Sequence, residues 1–266
     1  MTVVRSGGRL WLVAAAVVAL AGCATGGGAD GNGARGSSPE RRSAIYLDLG
    51  TTYLQQGEPR RALENLKKAQ DQKGDSAEIH NALGLTYQRL GFTDKARSAF
   101  ERARDLDPND PRLLNNYGVF LATHGEPDRA RSMFHKSLDN PMYSTPENAY
   151  YNLAWLDRRE DRLDKARQHL RTALQVRSDY PAARISLAQV LRNLDRPRQA
   201  RKVVEGLLEG HSQHLEGQLL AGELALALGD EQEAVKHLDR VVDLAPESAL
   251  AERSRKLLSQ IEGGAN

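Results

Sequence analysis

Repeated pairs of helices, stacked into an all-α array, are what this 266-residue sequence predicts, and three observations carry the prediction. Gly50, Gly84 and Gly118 recur at intervals of 34 residues. Twelve residues beyond each stands an alanine (Ala62, Ala96, Ala130), and four further on a bulky apolar residue (Leu66, Phe100, Phe134). The ladder runs on through Ala154, Ala188 and Gly222, with Ala166, Ala200 and Ala234 as second members, so six repeats are expected.

The spacing has a steric logic. A Gly or Ala on one helix facing an Ala on the next lets two antiparallel helices approach to the usual 8–10 Å between axes, and a larger residue at either position would part them. Leu83-Gly84, Tyr87, Ala96, Phe100, Ala103 and Pro108 fill the second unit in the pattern and period of a tetratricopeptide repeat. Gly57, Gly91 and Gly125 fall at the turn within each pair, where positive φ favours glycine. The predicted fold is therefore a right-handed superhelical tetratricopeptide-repeat solenoid with six helix-turn-helix repeats over 41–246. The step from Gly118 to Ala154 is two residues longer than the others, and the extra length falls in Asn140-Pro141-Met142-Tyr143-Ser144-Thr145-Pro146. Its two prolines forbid helix there, which predicts a lengthened loop or kink. Leu250, Leu257, Leu258 and Ile261 at helical spacing predict a capping helix over 247–262, as a solenoid end requires, before a short tail at 263–266.

The amino-terminal segment has a different composition. Residues 1–22 carry Arg5 and Arg9, then an uncharged run from Leu10 to Gly22, and no acid, which is the layout of a secretory signal peptide. The run is shorter than the roughly 20 residues a spanning helix needs. It ends in Leu20-Ala21-Gly22-Cys23, which resembles the bacterial lipobox and predicts lipidation at Cys23, the chain's only cysteine. Two or more acyl chains are needed for stable anchoring, at about 0.8 kcal/mol for each buried methylene. In lipoproteins of this type Ala24, rather than Asp, implies the outer membrane, facing the periplasm. Residues 23–40, with Gly26, Gly27, Gly28, Gly31, Gly33 and Gly36, read as a flexible tether.

Charge excludes more than it proposes. The formal +2 comes from 37 basic and 35 acidic residues, and loss of Arg5 and Arg9 with the signal peptide leaves them balanced, so nucleic acid is not an expected partner. Arg184, Arg192, Arg196, Arg198, Arg201 and Lys202 face only Asp195, whereas Val203 to Val235 contains only acids. That asymmetry is either solvated helix surface or a polar partner site at the far end. No nucleophile elbow, phosphate-binding loop or zinc-protease signature is present, and Cys23 is committed to lipid, so no catalytic residue, cofactor or disulfide is expected. His211 and His214 lack a third ligand at a motif-like interval, and no metal is expected. His80, His124, His135, His169 and His237 read as structural.

What remains is a groove. The first helix of each tetratricopeptide repeat lines the concave side, where partners bind. The register places Ala44, Leu47, Thr51 and Leu54 inward in the first repeat, Asn81 and Leu85 in the second, Asn115 and Val119 in the third, and Asn148, Tyr151, Trp155 and Arg158 in the fourth. Asparagine offers a donor and an acceptor, so Asn81 and Asn115 could pair with the backbone of an extended peptide. Asn116 and Asn152 could do the same or satisfy groups between helices. Trp155 suits an interface anchor or a core position between repeats.

With the lipobox, the tether and the repeats, two segments carry a resemblance: Asn115-Asn116-Tyr117-Gly118-Val119-Phe120-Leu121, and the insertion followed by Ala149-Tyr150-Tyr151-Asn152-Leu153. The chain resembles the type IV pilus biogenesis and stability lipoproteins, the PilF/PilW pilotin family. Members often carry cysteine where Ala122 stands, so any bridge made by that cysteine is absent here. The resemblance implies a non-catalytic protein that binds the secretin subunit of the pilus channel, holds it at the outer membrane and promotes its multimerisation. A general periplasmic scaffold organising envelope enzymes, such as peptidoglycan hydrolases, is the alternative.

Overall fold

The structure, a computed structural model, describes residues 38–264, and within them every regular element is an α-helix. The expected signal peptide, Cys23 and most of the expected tether lie outside the described residues. Six pairs follow one another: α1 (Pro39–Gln55) with α2 (Pro59–Lys73), α3 (Ala77–Arg89) with α4 (Thr93–Leu106), α5 (Pro111–Thr123) with α6 (Pro127–Leu138), α7 (Pro146–Arg159) with α8 (Leu163–Val176), α9 (Pro181–Asn193) with α10 (Pro197–Gly210), and α11 (Leu215–Ala227) with α12 (Glu231–Leu244). A last helix, α13 (Ala249–Gly264), packs on α12.

Helix α1 begins inside the segment expected to be tether. Ser38 accepts a hydrogen bond from the Arg41 amide, Pro39 opens the first turn and Glu40 complements the dipole, so this stretch carries a helix start that its glycine-rich surroundings obscure. Proline opens seven of the thirteen helices, since at that position its missing N–H would have had no partner anyway.

Within each pair the turn residue lies seven positions beyond the small residue, always with positive φ. Gly57, Gly91, Gly125 and Gly229 hold it at 77–81°, and Asp161 and Asp195 at 56°. Aspartate tolerates this region better than most side chains, so repeats four and five keep the turn without glycine. The approach of the two helices is tight. A methyl group placed on Gly84 would come within 2.8 Å of the Phe100 ring, and one on Gly118 within 2.6 Å of Phe134. Ala154 and Ala188 replace glycine opposite Leu170 and Val204, all four fully buried, whereas Gly50 and Gly222 keep glycine opposite Leu66 and Leu238, which a methyl group would meet at 2.6 and 2.8 Å.

Between repeats, the first helices touch side by side, α1 with α3, α3 with α5, α5 with α7, α9 with α11 and α11 with α13, while the second helices make no comparable contacts. The first helices therefore occupy the inside of the curve. Successive inter-repeat loops are tied together. The Asn140 amide donates to the Asn109 carbonyl at 3.2 Å and Asp179 meets His211 at 2.7 Å, while Asp75 in the first loop pairs with Arg102 of α4. In the lengthened loop Asn140 also accepts from the Met142 amide, and Tyr143 is buried, so the extra residues form an ordered turn.

Repeats three and four are further joined by a buried carboxylate. Asp157, with no exposed surface, receives Arg131 of α6 at 2.9 Å, and Arg162 at 3.0 Å and His169 of α8 at 2.8 Å. Burial pushes its pKa up, but hydrogen bonds from Arg162 and His169 and the Arg131 charge outweigh burial and hold it below the ordinary value.

Two outcomes follow for stability. Gly118→Val drives a branched side chain into Phe134, and should lower unfolding free energy by about 3 kcal/mol in urea titrations, with partial recovery in Gly118→Val/Phe134→Leu. Asp157→Asn should destabilise by about 3 kcal/mol at neutral pH, because Arg131 and Arg162 lose the buried carboxylate between them and keep only Glu160. Because the folded pKa lies below the unfolded one, the Asp157 contribution is complete above about pH 5 and is lost as pH falls through the folded value. Thermal melts of both proteins should converge below the folded value.

Candidate protein-binding groove

The inner face carries two clefts. The first, of about 460 Å³, lies across the first helices of repeats one to three and is lined by Ala44, Leu47, Asp48, Thr51, Leu54 and Gln55 of α1, Glu78, Asn81, Ala82 and Leu85 of α3, and Asp110, Arg112 and Asn116 of α5. Leu47, Thr51, Leu54, Asn81 and Leu85 thus meet in one place, as the register predicts. Leucine side chains form its floor and charged groups its rim. Asp110 is already engaged, accepting from the Arg112 and Leu113 amides at 2.8 and 3.2 Å as the cap of α5.

The second cleft, of about 270 Å³, is more apolar and is lined by Val119, Ala122 and Thr123 of α5, Phe134 of α6, and Tyr151, Asn152 and Trp155 of α7. Trp155 is half-buried, and the Arg159 guanidinium lies 4.8 Å from its ring centroid. Tyr151 leans on Tyr180 of the next repeat at 5.4 Å between centroids, and the Tyr180 hydroxyl donates to Asn148 at 3.3 Å. Arg158 stays outside both clefts.

The asparagines form a ladder that the sequence leaves ambiguous. The Asn116 amide donates to Asn81 Oδ1 at 3.2 Å, and the Asn152 amide donates to Asn115 Oδ1 at 2.9 Å, so each bond crosses from one repeat to the preceding one. Asn115 is buried, at 9% exposure, and sits in the seam between repeats three and four rather than on the wall of either cleft. Asn81 keeps its amide hydrogens for a ligand while its oxygen holds Asn116. A signal was present in sequence: the pairs Asn81/Asn116 and Asn115/Asn152 each sit about one repeat apart, twice in succession.

At the far end some of the opposite charges find each other. Arg192 meets Glu223 at 2.6 Å, Arg253 of the cap meets the same carboxylate at 2.5 Å, and Arg201 reaches Glu205 and Asp230 at 3.3 and 3.6 Å. His211 holds Asp179 and His214 caps α11 by accepting from the Gly217 amide, so the two histidines serve different partners. Among the described residues no group of three or more His, Cys, Asp or Glu is placed to hold a metal ion.

Comparison with known proteins agrees with this geometry. Models of the tetratricopeptide repeat match residues 81–145, 158–218 and 216–248, and a model of the TPR repeat matches 50–91. The chain is a tetratricopeptide repeat protein. Its solenoid is similar to that of PilF from Pseudomonas aeruginosa, with 23% identity and a TM-score of 0.72 over 82% of this chain and 98% of that one. It is also similar to PilW, described as a widely conserved type IV pilus biogenesis factor, with 23% identity and a TM-score of 0.73 over 79% and 97% of the two chains. YrrB, described as a TPR protein with an unusual peptide-binding site, matches with 19% identity and a TM-score of 0.54 over 72% and 97%. Among curated proteins, the protein O-mannosyl-transferase Tmtc3 of Drosophila melanogaster is 31% identical over 78 residues, which is 29% of this chain and 8% of that protein. The likeness to the solved structures is one of fold.

In this tetratricopeptide protein the asparagine ladder ties α3 to α5 and α5 to α7 across the repeat boundaries. Asn115→Ala and Asn152→Ala should each destabilise by about 1 kcal/mol, and a double-mutant cycle should return a coupling near that size in chemical unfolding.

Proposed function

We propose that this chain is a lipid-anchored outer-membrane protein, facing the periplasm, that binds the secretin subunit of a type IV pilus and promotes its localisation and multimerisation without chemical catalysis. The first cleft carries the reading: Leu47, Thr51, Leu54, Asn81 and Leu85 form a half-exposed apolar floor on the concave side of an interaction scaffold. Exposed apolar surface of that kind is characteristic of partner sites. The resemblance of the Asn115–Leu121 and 140–153 segments to the pilotin family, and the similarity in fold to PilF and PilW, support the choice of partner. Lipid at Cys23 would raise the protein's local concentration on one membrane face, as any tether does. Val119, Tyr151 and Trp155 supply a second, aromatic contact a short way along the same groove.

Deleting the gene should remove the heat-stable secretin multimer from the outer membrane on unheated gels, leaving monomer in the inner membrane. Wild type should restore the multimer and Cys23→Ser should not. Leu47→Glu/Leu54→Glu should abolish secretin pull-down. Because both leucines are half-buried, Thr51→Arg serves as a second variant that brings charge into the cleft without removing core volume. Each purified variant should keep its helical circular dichroism. An unchanged multimer in the deletion strain, with peptidoglycan hydrolases co-purifying instead, would favour a general envelope scaffold.

A further inference from the structure

The outer side of α1 repeats, residue for residue, a surface that is buried one repeat later. Ile45, Leu49 and Thr52 precede Ile79, Leu83 and Thr86 by one 34-residue period, with the same three residue types in the same order. On α3 these residues are 1%, 3% and 0% exposed, and Ile79 and Leu83 share a core cluster with Leu66 and Ala69 of α2. The equivalent residues of the next two repeats, Leu113, Tyr117 and Phe120, then Ala149, Leu153 and Leu156, are likewise buried. On α1, Ile45 is 50% and Leu49 39% exposed, and Thr52 is exposed as well. Among the described residues α1 packs on α2 and α3 alone.

The other end of the array is finished differently. Helix α13 closes it and turns Glu252, Arg253, Arg255 and Lys256 to solvent, the polar outer face that a solenoid terminus needs. Among the described residues one end is thus covered by charge, while the other presents an apolar surface like the one that α2 covers on α3.

We infer that this face of α1 docks an amphipathic helix of a partner protein, which lies on Ile45, Leu49 and Thr52 as α2 lies on Ile79, Leu83 and Thr86, extending the solenoid by one helix. The occupant's chemistry follows from the interface it continues: an alternating large and small apolar stripe like Leu66 and Ala69, three residues apart and so on one helix face. The chain's own residues 23–37 contain no Val, Leu, Ile, Met, Phe, Tyr or Trp and have no such stripe to offer. The inference concerns the end of the array and holds whichever ligand the concave clefts take.

The test uses full-length protein in detergent and, as probe, a fluorescent peptide of residues 59–73 with a lactam joining Glu64 to Lys68. Both are exposed in α2 and one turn apart, so the bridge favours helix without touching the apolar stripe. Saturable anisotropy is expected with wild type and with Ile45→Leu/Leu49→Ile, and at least tenfold weaker binding with Ile45→Glu/Leu49→Glu. Because the altered residues are half-exposed, the melting midpoint of the glutamate variant should stay within about 4 °C of wild type. No saturable binding, or equal binding to the glutamate variant, overturns the inference. So does peptide binding that appears only after residues 1–22 are removed, which assigns the face to the chain's own leader. Vesicle binding of the protein to phosphatidylglycerol, or self-association in sedimentation, lost in the glutamate variant while the peptide fails to bind, assigns the face instead to the membrane or to a second copy.

Discussion

Everything in this molecule depends on how closely two helices can approach. A residue without a side chain, or with only a methyl group, on the first helix admits a large apolar residue from the second, as Gly118 admits Phe134. That contact sets the spacing within a pair, and the 34-residue recurrence of the contact makes successive pairs stack in the same way. Alanine takes the place opposite Leu170 and Val204, and glycine keeps it opposite Leu66 and Leu238 as well as opposite the two phenylalanines. What every crossing point requires is a residue no larger than alanine on the first helix.

The groove is a by-product of that stacking. Because neighbouring first helices touch and neighbouring second helices do not, the array bends toward its first helices and collects one face of each on the concave side. Residues spaced a repeat apart become neighbours: Leu54, Leu85 and Asn81 share one cleft, and Tyr151 and Trp155 share another with Val119. Arg192 and Arg201 of the basic block, and Arg253 of the cap, bind carboxylates of the acidic block, so part of the charge asymmetry prominent in sequence becomes ion pairs between adjoining helices. Exposed pairs of this kind add little to stability individually.

The buried exception is Asp157. Its carboxylate gathers Arg131, Arg162 and His169 from repeats three and four, at the opposite end of α7 from the lengthened 139–145 loop where the period is broken. Such a cluster can lock the relative orientation of repeats across an irregular connection, since a buried charge must keep all its partners in place.

By itself the sequence determined the helical class, the number of repeats, the turn glycines, the proline-bearing insertion and the inward positions of Leu47, Thr51, Leu54, Asn81 and Leu85. These are legible because they rest on period and on steric rules that act within about 34 residues. Tertiary structure alone decided which side chains meet across repeats. Asn115 and Asn81 occupy equivalent positions, yet Asn115 is enclosed by Asn152 and the bulk of repeat four whereas Asn81 opens on a cleft. Aspartates at 161 and 195 take the turn glycine's conformation, and α1 begins inside a stretch that composition marks as tether. In each case the outcome depends on the neighbour brought alongside by stacking or on a local cap, and a periodic pattern records neither.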